Sequence, residues 1–269
     1  MNVWEAFILG VVQGVTEFLP VSSSGHLVLL QKIFGIEEPA LVFDTAVHGG
    51  TLIAVLVVLR RDIWNILRRI FQPLTMYLII ATVPVVIAAL LFKSFIEGAF
   101  ASGAFLGFAF LATSALLLVS ELLYRRARMV QARGQEKMNW LDAVFIGLLQ
   151  AAALIPGLSR SGATISAGLF RGLDRDFAAR FSFLLSIPAI FGALLLQAKD
   201  LAGAGAAGAE TIGLIPVAVG TISAGIVAFF SIRLALKIVR EHSLLGFALY
   251  TGILGILVLL DKFGTHFFF

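Results

Sequence analysis

The chain has 269 residues, 59% of them hydrophobic and only 13% charged, with a formal net charge of +4 and a mean hydropathy of +1.00. Soluble domains carry roughly 25% charged residues, so a water-soluble enzyme is excluded, and the absence of cysteine excludes disulfides and thiolate chemistry. His26, His48, His242 and His266 lack zinc-type spacing, and the basic residues sit at the ends of apolar runs, which argues against a nucleic-acid partner.

The opening "MNVWEAF" has no basic n-region, so no cleavable signal peptide is expected. From about 4 to 34 the chain is apolar but broken by "TEFLPVSSSGH" (Thr16 to His26), where Pro20 interrupts any helical hydrogen-bond ladder. Three apolar runs follow, at about 41–59, 74–92 and 102–124, each near the roughly 20 residues that a membrane span needs. A second broken segment, about 140–171, is interrupted by "IPGLSRSGAT" (Ile155 to Thr164), and further spans lie at about 177–197, 211–234 and 244–262. Alternating ten-residue segments typical of a β-barrel are missing. The expected fold is an all-α polytopic membrane protein with six transmembrane helices and two re-entrant helical hairpins, all in one membrane domain.

"LAGAGAAGAE" (Leu201 to Glu210) reads as an external loop, Arg125 to Lys137 as a loop facing lipid headgroups, and the terminal "HFFF" as an interfacial anchor. Asp44 and His48, in "FDTAVHGGTL", lie near the outer end of a span as lining residues at most, and Glu121 is expected at the interface.

The two broken segments superpose without a gap at an offset of 137 residues. Ala6 falls on Ala143, Gly10 on Gly147, Gln13 on Gln150, Ser22 on Ser159, Ser24 on Ser161 and Gly25 on Gly162, and Glu5 faces Asp142. The offset is about half the chain, so an internal duplication is expected, with repeats at approximately 1–124 and 139–262. One set of loops holds fifteen Lys and Arg residues, from Arg60 to Arg240, and the other only Lys32, Lys93, Lys199 and Lys262. The positive-inside rule makes the first set cytoplasmic. Three spans separate the hairpins, so the repeats are inverted, with both termini outside.

Inverted repeats with discontinuous helices point to a site where the breaks meet, near the bilayer midplane. Ser22, Ser23 and Ser24 suit the N-cap of one half-helix, and Ser159 and Ser161 that of the other. Two helix N-termini with positive dipole ends would then face one place, and Arg160 adds a planar fork of donors suited to phosphate. Such a pocket traps oxyanions. Serines at a helix break are often caps and nothing more. A carboxylate at membrane depth is functional by default, although Glu17 could simply pair with Arg160. His26 beside Glu17 and a serine run points to chemistry rather than a structural hydrogen bond.

These residues resemble a known family, the bacitracin-resistance (BacA/UppP) type of undecaprenyl-diphosphatase. "QGVTEFLPVSSSGH" (Gln13 to His26) and "PGLSRSGAT" (Pro156 to Thr164) carry the resemblance, which extends to the length, the six spans and the repeats. It implies hydrolysis of undecaprenyl diphosphate to undecaprenyl phosphate and inorganic phosphate, with Mg²⁺ or Ca²⁺ as cofactor, in a bacterial plasma membrane. The family's essential carboxylate maps to Glu17, its serine to Ser23, its histidine to His26 and its arginine to Arg160. Gln13, Ser22, Ser24, Gly25, Ser159, Ser161 and Thr164 complete the substrate-binding set, and Glu17 is the candidate metal ligand. Gln13 departs from a position that is often Glu, which removes one potential metal ligand.

Three attacking groups are open: Ser23 activated by His26 or Glu17, His26 itself, or water activated by Glu17. Ser23 and His26 are favoured, with Glu17 orienting the histidine. The pocket is expected to open on the periplasmic or extracellular face, with the prenyl tail running between helices into the bilayer; a homodimer is a possible partner state. Type-2 phosphatidic-acid phosphatases, which share the S-G-H and S-R elements, need a second histidine downstream, and none follows Arg160 until His242. The rival class is a transporter or flippase of the prenyl phosphate, which needs Arg160 and the helix ends but no nucleophile. A purely structural subunit does not explain Glu17 and Arg160 at the breaks.

Overall fold

In lipid a backbone can bond only to itself, so an apolar chain of this kind folds as helices. The computed structural model describes residues 1–36, 41–127, 133–204 and 213–267 and holds twelve α-helices among them. In chain order these are α1 (Val3–Thr16), α2 (Ser23–Ile33), α3 (Leu41–Val58), α4 (Arg60–Arg68), α5 (Pro73–Leu91) and α6 (Lys93–Ser102). Then come α7 (Leu106–Ala127), α8 (Trp140–Ala152), α9 (Arg160–Phe170), α10 (Arg175–Ala204), α11 (Leu214–Glu241) and α12 (Leu245–Leu260). Helices α5, α7, α10, α11 and α12 are long and apolar enough to cross a membrane; α3 and α4 make a sixth span only as a pair bent by 73°. The chain is a multi-pass helical membrane protein.

The bend has a physical cause. Arg60, Arg61 and Arg68 cannot follow α3 through hydrocarbon, so the chain turns, and all three remain exposed on α4 beside an equally exposed Trp64. The expected span at 41–59 is therefore one limb of an angled pair. Helix α6, between the spans at α5 and α7, was not anticipated.

Helices α1 and α2 flank the first break, α8 and α9 the second. Their bounds keep the spacing of 137: α1 and α8 start at 3 and 140, and α2 and α9 run over 23–33 and 160–170. Each first limb opens on a capping box, Asn2 with Glu5 and Asn139 with Asp142. Their packing is backbone-close. A Cβ on Gly10 would lie 2.3 Å from the Gly220 carbonyl oxygen of α11, and one on Gly147 would lie 2.6 Å from that of Ala81 on α5. Small residues at such crossings let helices touch where no hydrophobic effect drives them together.

Two enclosed carboxylates tie the arginine-rich end. Glu121, expected at the interface, is only 1% exposed; it accepts from Arg125 Nε at 2.8 Å, Arg175 Nη2 at 2.5 Å and the Leu244 amide at 3.1 Å. Asp142, fully buried, accepts from Arg133 Nη2 at 3.0 Å and Arg171 Nε at 2.7 Å. Arg133 thus turns inward, whereas the middle of the expected headgroup loop (128–132), most of the Leu201 to Glu210 loop and the final two phenylalanines of "HFFF" lie outside the described residues.

Candidate active site at the two helix breaks

The first break follows from what Pro20 and Ser22 allow. Pro20 has no N–H to extend α1, and Ser22 sits at φ 70°, ψ 93°, a left-handed conformation that costs a non-glycine residue of order 1–3 kcal/mol. Its hydroxyl still caps α2, accepting from the Gly25 amide at 3.3 Å. In the second break the unusual torsion falls on Gly157 (φ 93°), where a side chain is absent, and Ser159 caps α9 from an ordinary φ of −69°, accepting from the Gly162 amide at 3.0 Å. A helix start has one N-cap position, so Ser23, Ser24 and Ser161 are corrected from caps to first-turn residues. Ser24 Oγ lies 3.4 Å from Ser22 Oγ.

The breaks touch. Ser161 donates its hydroxyl to the Leu19 carbonyl at 2.9 Å, and a Cβ on Gly25 would stand 2.9 Å from the Gly157 Cα and 2.6 Å from Phe110 Cζ. Thr113 on α7 pins the second break, accepting from the Ser159 amide at 2.9 Å, while its one hydroxyl proton is shared between the carbonyls of Ala109 at 3.0 Å and Gly157 at 3.1 Å. The N-termini of α2 and α9 therefore share this junction, each with unpaired amides and a positive dipole end.

Glu17 is the hub. Only 6% exposed, its carboxylate takes Arg160 Nη2 on Oε1 at 2.7 Å, and on Oε2 the Ser23 hydroxyl at 2.5 Å and Gln13 Nε2 at 2.9 Å. Arg160 gives this buried charge an opposite partner, without which it would be strongly destabilising. A hydroxyl bonded to a fixed carboxylate is the arrangement that can activate a nucleophile. The Oε1 of Gln13 is buried without a partner.

The histidines differ from expectation. His26 does not rest on Glu17: its Nδ1 lies 2.7 Å from the Ser22 carbonyl oxygen and its Nε2 lies 2.6 Å from the Tyr250 hydroxyl of α12, with Phe110 edge-on to the ring. The imidazole facing Glu17 is that of His48, with Nε2 3.7 Å from Oε2 and Nδ1 2.7 Å from the Asp44 carbonyl. Asp44 in turn accepts from Gln31 at 2.8 Å. Thr164 stands behind the junction: its hydroxyl donates to the Arg160 carbonyl at 2.9 Å and lies 2.6 Å from Ser182 Oγ on α10. Sequence reading undervalued His48 and missed Tyr250 and Thr113. The one available signal was a polar tip on an otherwise apolar span face.

Among the described residues no group of three or more His, Cys, Asp or Glu side chains could hold a metal ion. Mg²⁺ is commonly held by one or two carboxylates plus substrate phosphates, and Glu17 is the carboxylate present for that role; Gln13 turns its amide nitrogen, not its oxygen, to it.

A guanidinium fork, two helix N-termini and a hydroxyl bonded to a carboxylate, inside a multi-pass helical protein, define a membrane site suited to phosphate chemistry. Comparison with known proteins agrees. The family model described as "Bacitracin resistance protein BacA" matches residues 6–257. An "Undecaprenyl-diphosphatase" from Carboxydothermus hydrogenoformans is 45% identical over 96% of this chain and 97% of its own. An "Undecaprenyl-diphosphatase 4" from Bacillus thuringiensis subsp. konkukian is 42% identical over 98% of each, and a relative from Halothermothrix orenii is 39% identical over 97% of this chain and 98% of its own. The chain belongs to the bacitracin-resistance BacA family.

Proposed function

We propose that this protein hydrolyses undecaprenyl diphosphate to undecaprenyl phosphate and inorganic phosphate, at the junction of its two helix breaks. The observation that carries the reading is the 2.5 Å bond from Ser23 to Glu17, with Arg160 on the other oxygen of the same carboxylate. Ser23 Oγ attacks the terminal phosphorus and gives its proton to Glu17 as the bridging P–O bond breaks and undecaprenyl phosphate departs. Glu17 passes that proton to the leaving phosphate, takes one from the water that cleaves the Ser23 phosphoester, and returns it to Ser23 Oγ as inorganic phosphate leaves. Arg160 and the amides of α2 and α9 balance the charge shifting onto the transferred group and the leaving phosphate. A divalent cation held by Glu17 and the substrate phosphates would neutralise phosphate charge when bound.

Direct attack by His26 is less favoured, because both of its nitrogens already have partners. Fifteen basic residues on one set of loops against four on the other support a pocket opening on the periplasmic or extracellular face of a bacterial plasma membrane, with both termini there. Element bounds recurring at 137 residues support inverted repeats at about 1–124 and 139–262.

Phosphate release from undecaprenyl diphosphate by the detergent-purified protein tests this, with and without EDTA, beside Ser23→Ala and Arg160→Ala. Metal-dependent release, abolished in both variants, is expected. Lipid diphosphate bound without release would instead favour a carrier of the lipid.

A further inference from the structure

Tyr250 is the one polar side chain that α12 sends to the first break. Its hydroxyl lies 2.6 Å from His26 Nε2, while His26 Nδ1 lies 2.7 Å from the Ser22 carbonyl. A carbonyl only accepts, so Nδ1 carries the proton. Nε2 of the neutral ring then holds a lone pair, and the phenol donates to it. The ring is fixed further by Phe110 edge-on at 5.5 Å and by Tyr250 nearly parallel at 5.7 Å, with 8° between the ring planes.

The backbone is spent on the same end. Ser22 adopts its left-handed torsion, and its carbonyl accepts both the His26 amide at 3.2 Å and the His26 ring. Strain of this kind persists where surrounding contacts over-determine it, and here they converge on one imidazole.

The other break supplies an independent parallel. Thr113, 137 residues before Tyr250, sends its hydroxyl from α7 to the second break and bonds Gly157 and Ser159 directly. The residue 137 positions after His26 is Ala163, so that break has no ring to hold. Each break is thus pinned by a hydroxyl from the same relative position on the α7 and α12 pair, one through backbone and one through a histidine.

We propose that Tyr250 is a positioning residue for the diphosphatase reaction: it holds His26 in the Nδ1–H tautomer and at a fixed orientation beside Ser23. This rests on the diphosphatase reading above. Its consequence is that both ring nitrogens are engaged, and that Ser23 is left as the attacking atom.

The test uses the full-length protein in detergent. Tyr250→Phe keeps the ring and removes only the donor, so kcat should fall about tenfold, roughly the worth of one hydrogen bond, with KM little changed. In a His26→Ala background the same change should cost nothing more, because the two groups act as a unit. With ¹⁵N-histidine labelling, the His26 ring signals, assigned by their loss in His26→Ala, should leave the fixed Nδ1–H pattern in Tyr250→Phe. Thr113→Val should leave them unmoved. An unchanged His26 spectrum, or losses that simply add in the double variant, overturns the proposal. If the wild type releases no phosphate the diphosphatase reading fails by itself, and the ring spectrum alone then decides whether Tyr250 sets the tautomer.

Discussion

The two helix breaks share one frame and differ in what they carry. Both end in an 11-residue helix capped by a serine, and the caps lie 137 residues apart. Yet where the first break has Glu17, Ser23 and His26, the second has Leu154, Arg160 and Ala163 at the same spacing. The first holds the carboxylate and the hydroxyl bonded to it; the second holds a cation and no carboxylate. The backbone divides in the same way, with Ser22 left-handed at φ 70° and Ser159 relaxed at φ −69°. A scaffold can repeat without its chemistry repeating, and strain accumulates on the side where a reactive group must be aimed.

The largest expected effect separates the breaks by what each does to the rate. Ser23→Ala or Glu17→Gln removes a member of the bonded pair and should lower phosphate release about a thousandfold, the scale of an aligned base or nucleophile. Ser159→Ala removes only a cap and should change release less than about tenfold while lowering stability by about 1 kcal/mol. Equal losses at Ser23 and Ser159 would collapse the division of roles.

Arg160 is where the second break enters the chemistry of the first. Arg160→Lys keeps the charge but loses the planar fork, which is not a conservative change at a phosphate or carboxylate. A fall of about a hundredfold in kcat/KM is expected, and Lys activity close to wild type would show that a point charge suffices. Where the breaks touch, Gly25→Val would drive a side chain into Gly157 and Phe110. Overpacking of that kind costs roughly 1–3 kcal/mol, visible as a lower melting temperature in detergent. The same substitution at Gly246, where a Cβ meets nothing within 4 Å, should cost less.

Much of this comparison was legible in the sequence, for local reasons. Proline and serine inside apolar runs mark a break wherever they fall, so both breaks and their offset could be read directly. An intramembrane Glu17 needs a cation, and Arg160 in the facing break was the available one. Other features depend on which helix faces meet, and no short window encodes that. His48 reaches Glu17 from α3, and Tyr250 reaches His26 from α12, 224 residues away. Glu121 meets Arg125 within one helical turn, but its second partner, Arg175, lies 54 residues on. The bend between α3 and α4 was missed for another reason: hydropathy measures apolar length, and it is blind to a change of direction at Leu59.

The smallest effect is also the sharpest, because it predicts opposite signs. Glycine at an N-cap loses only a few tenths of a kcal/mol relative to serine, and added backbone freedom costs about 0.5–1 kcal/mol more. At Ser159, already relaxed, nothing offsets these, so Ser159→Gly should destabilise by about 1 kcal/mol. At Ser22 the left-handed torsion is relieved by about 1–3 kcal/mol, so Ser22→Gly should be neutral or stabilising by about 1 kcal/mol. The carbonyl that accepts from His26 is backbone and survives the change, so phosphate release should stay near wild type. Paired melting curves of the two variants read the sign directly. Destabilisation of equal size at both positions would mean that Ser22 carries no strain, and the asymmetry between the breaks would then lie in their side chains alone.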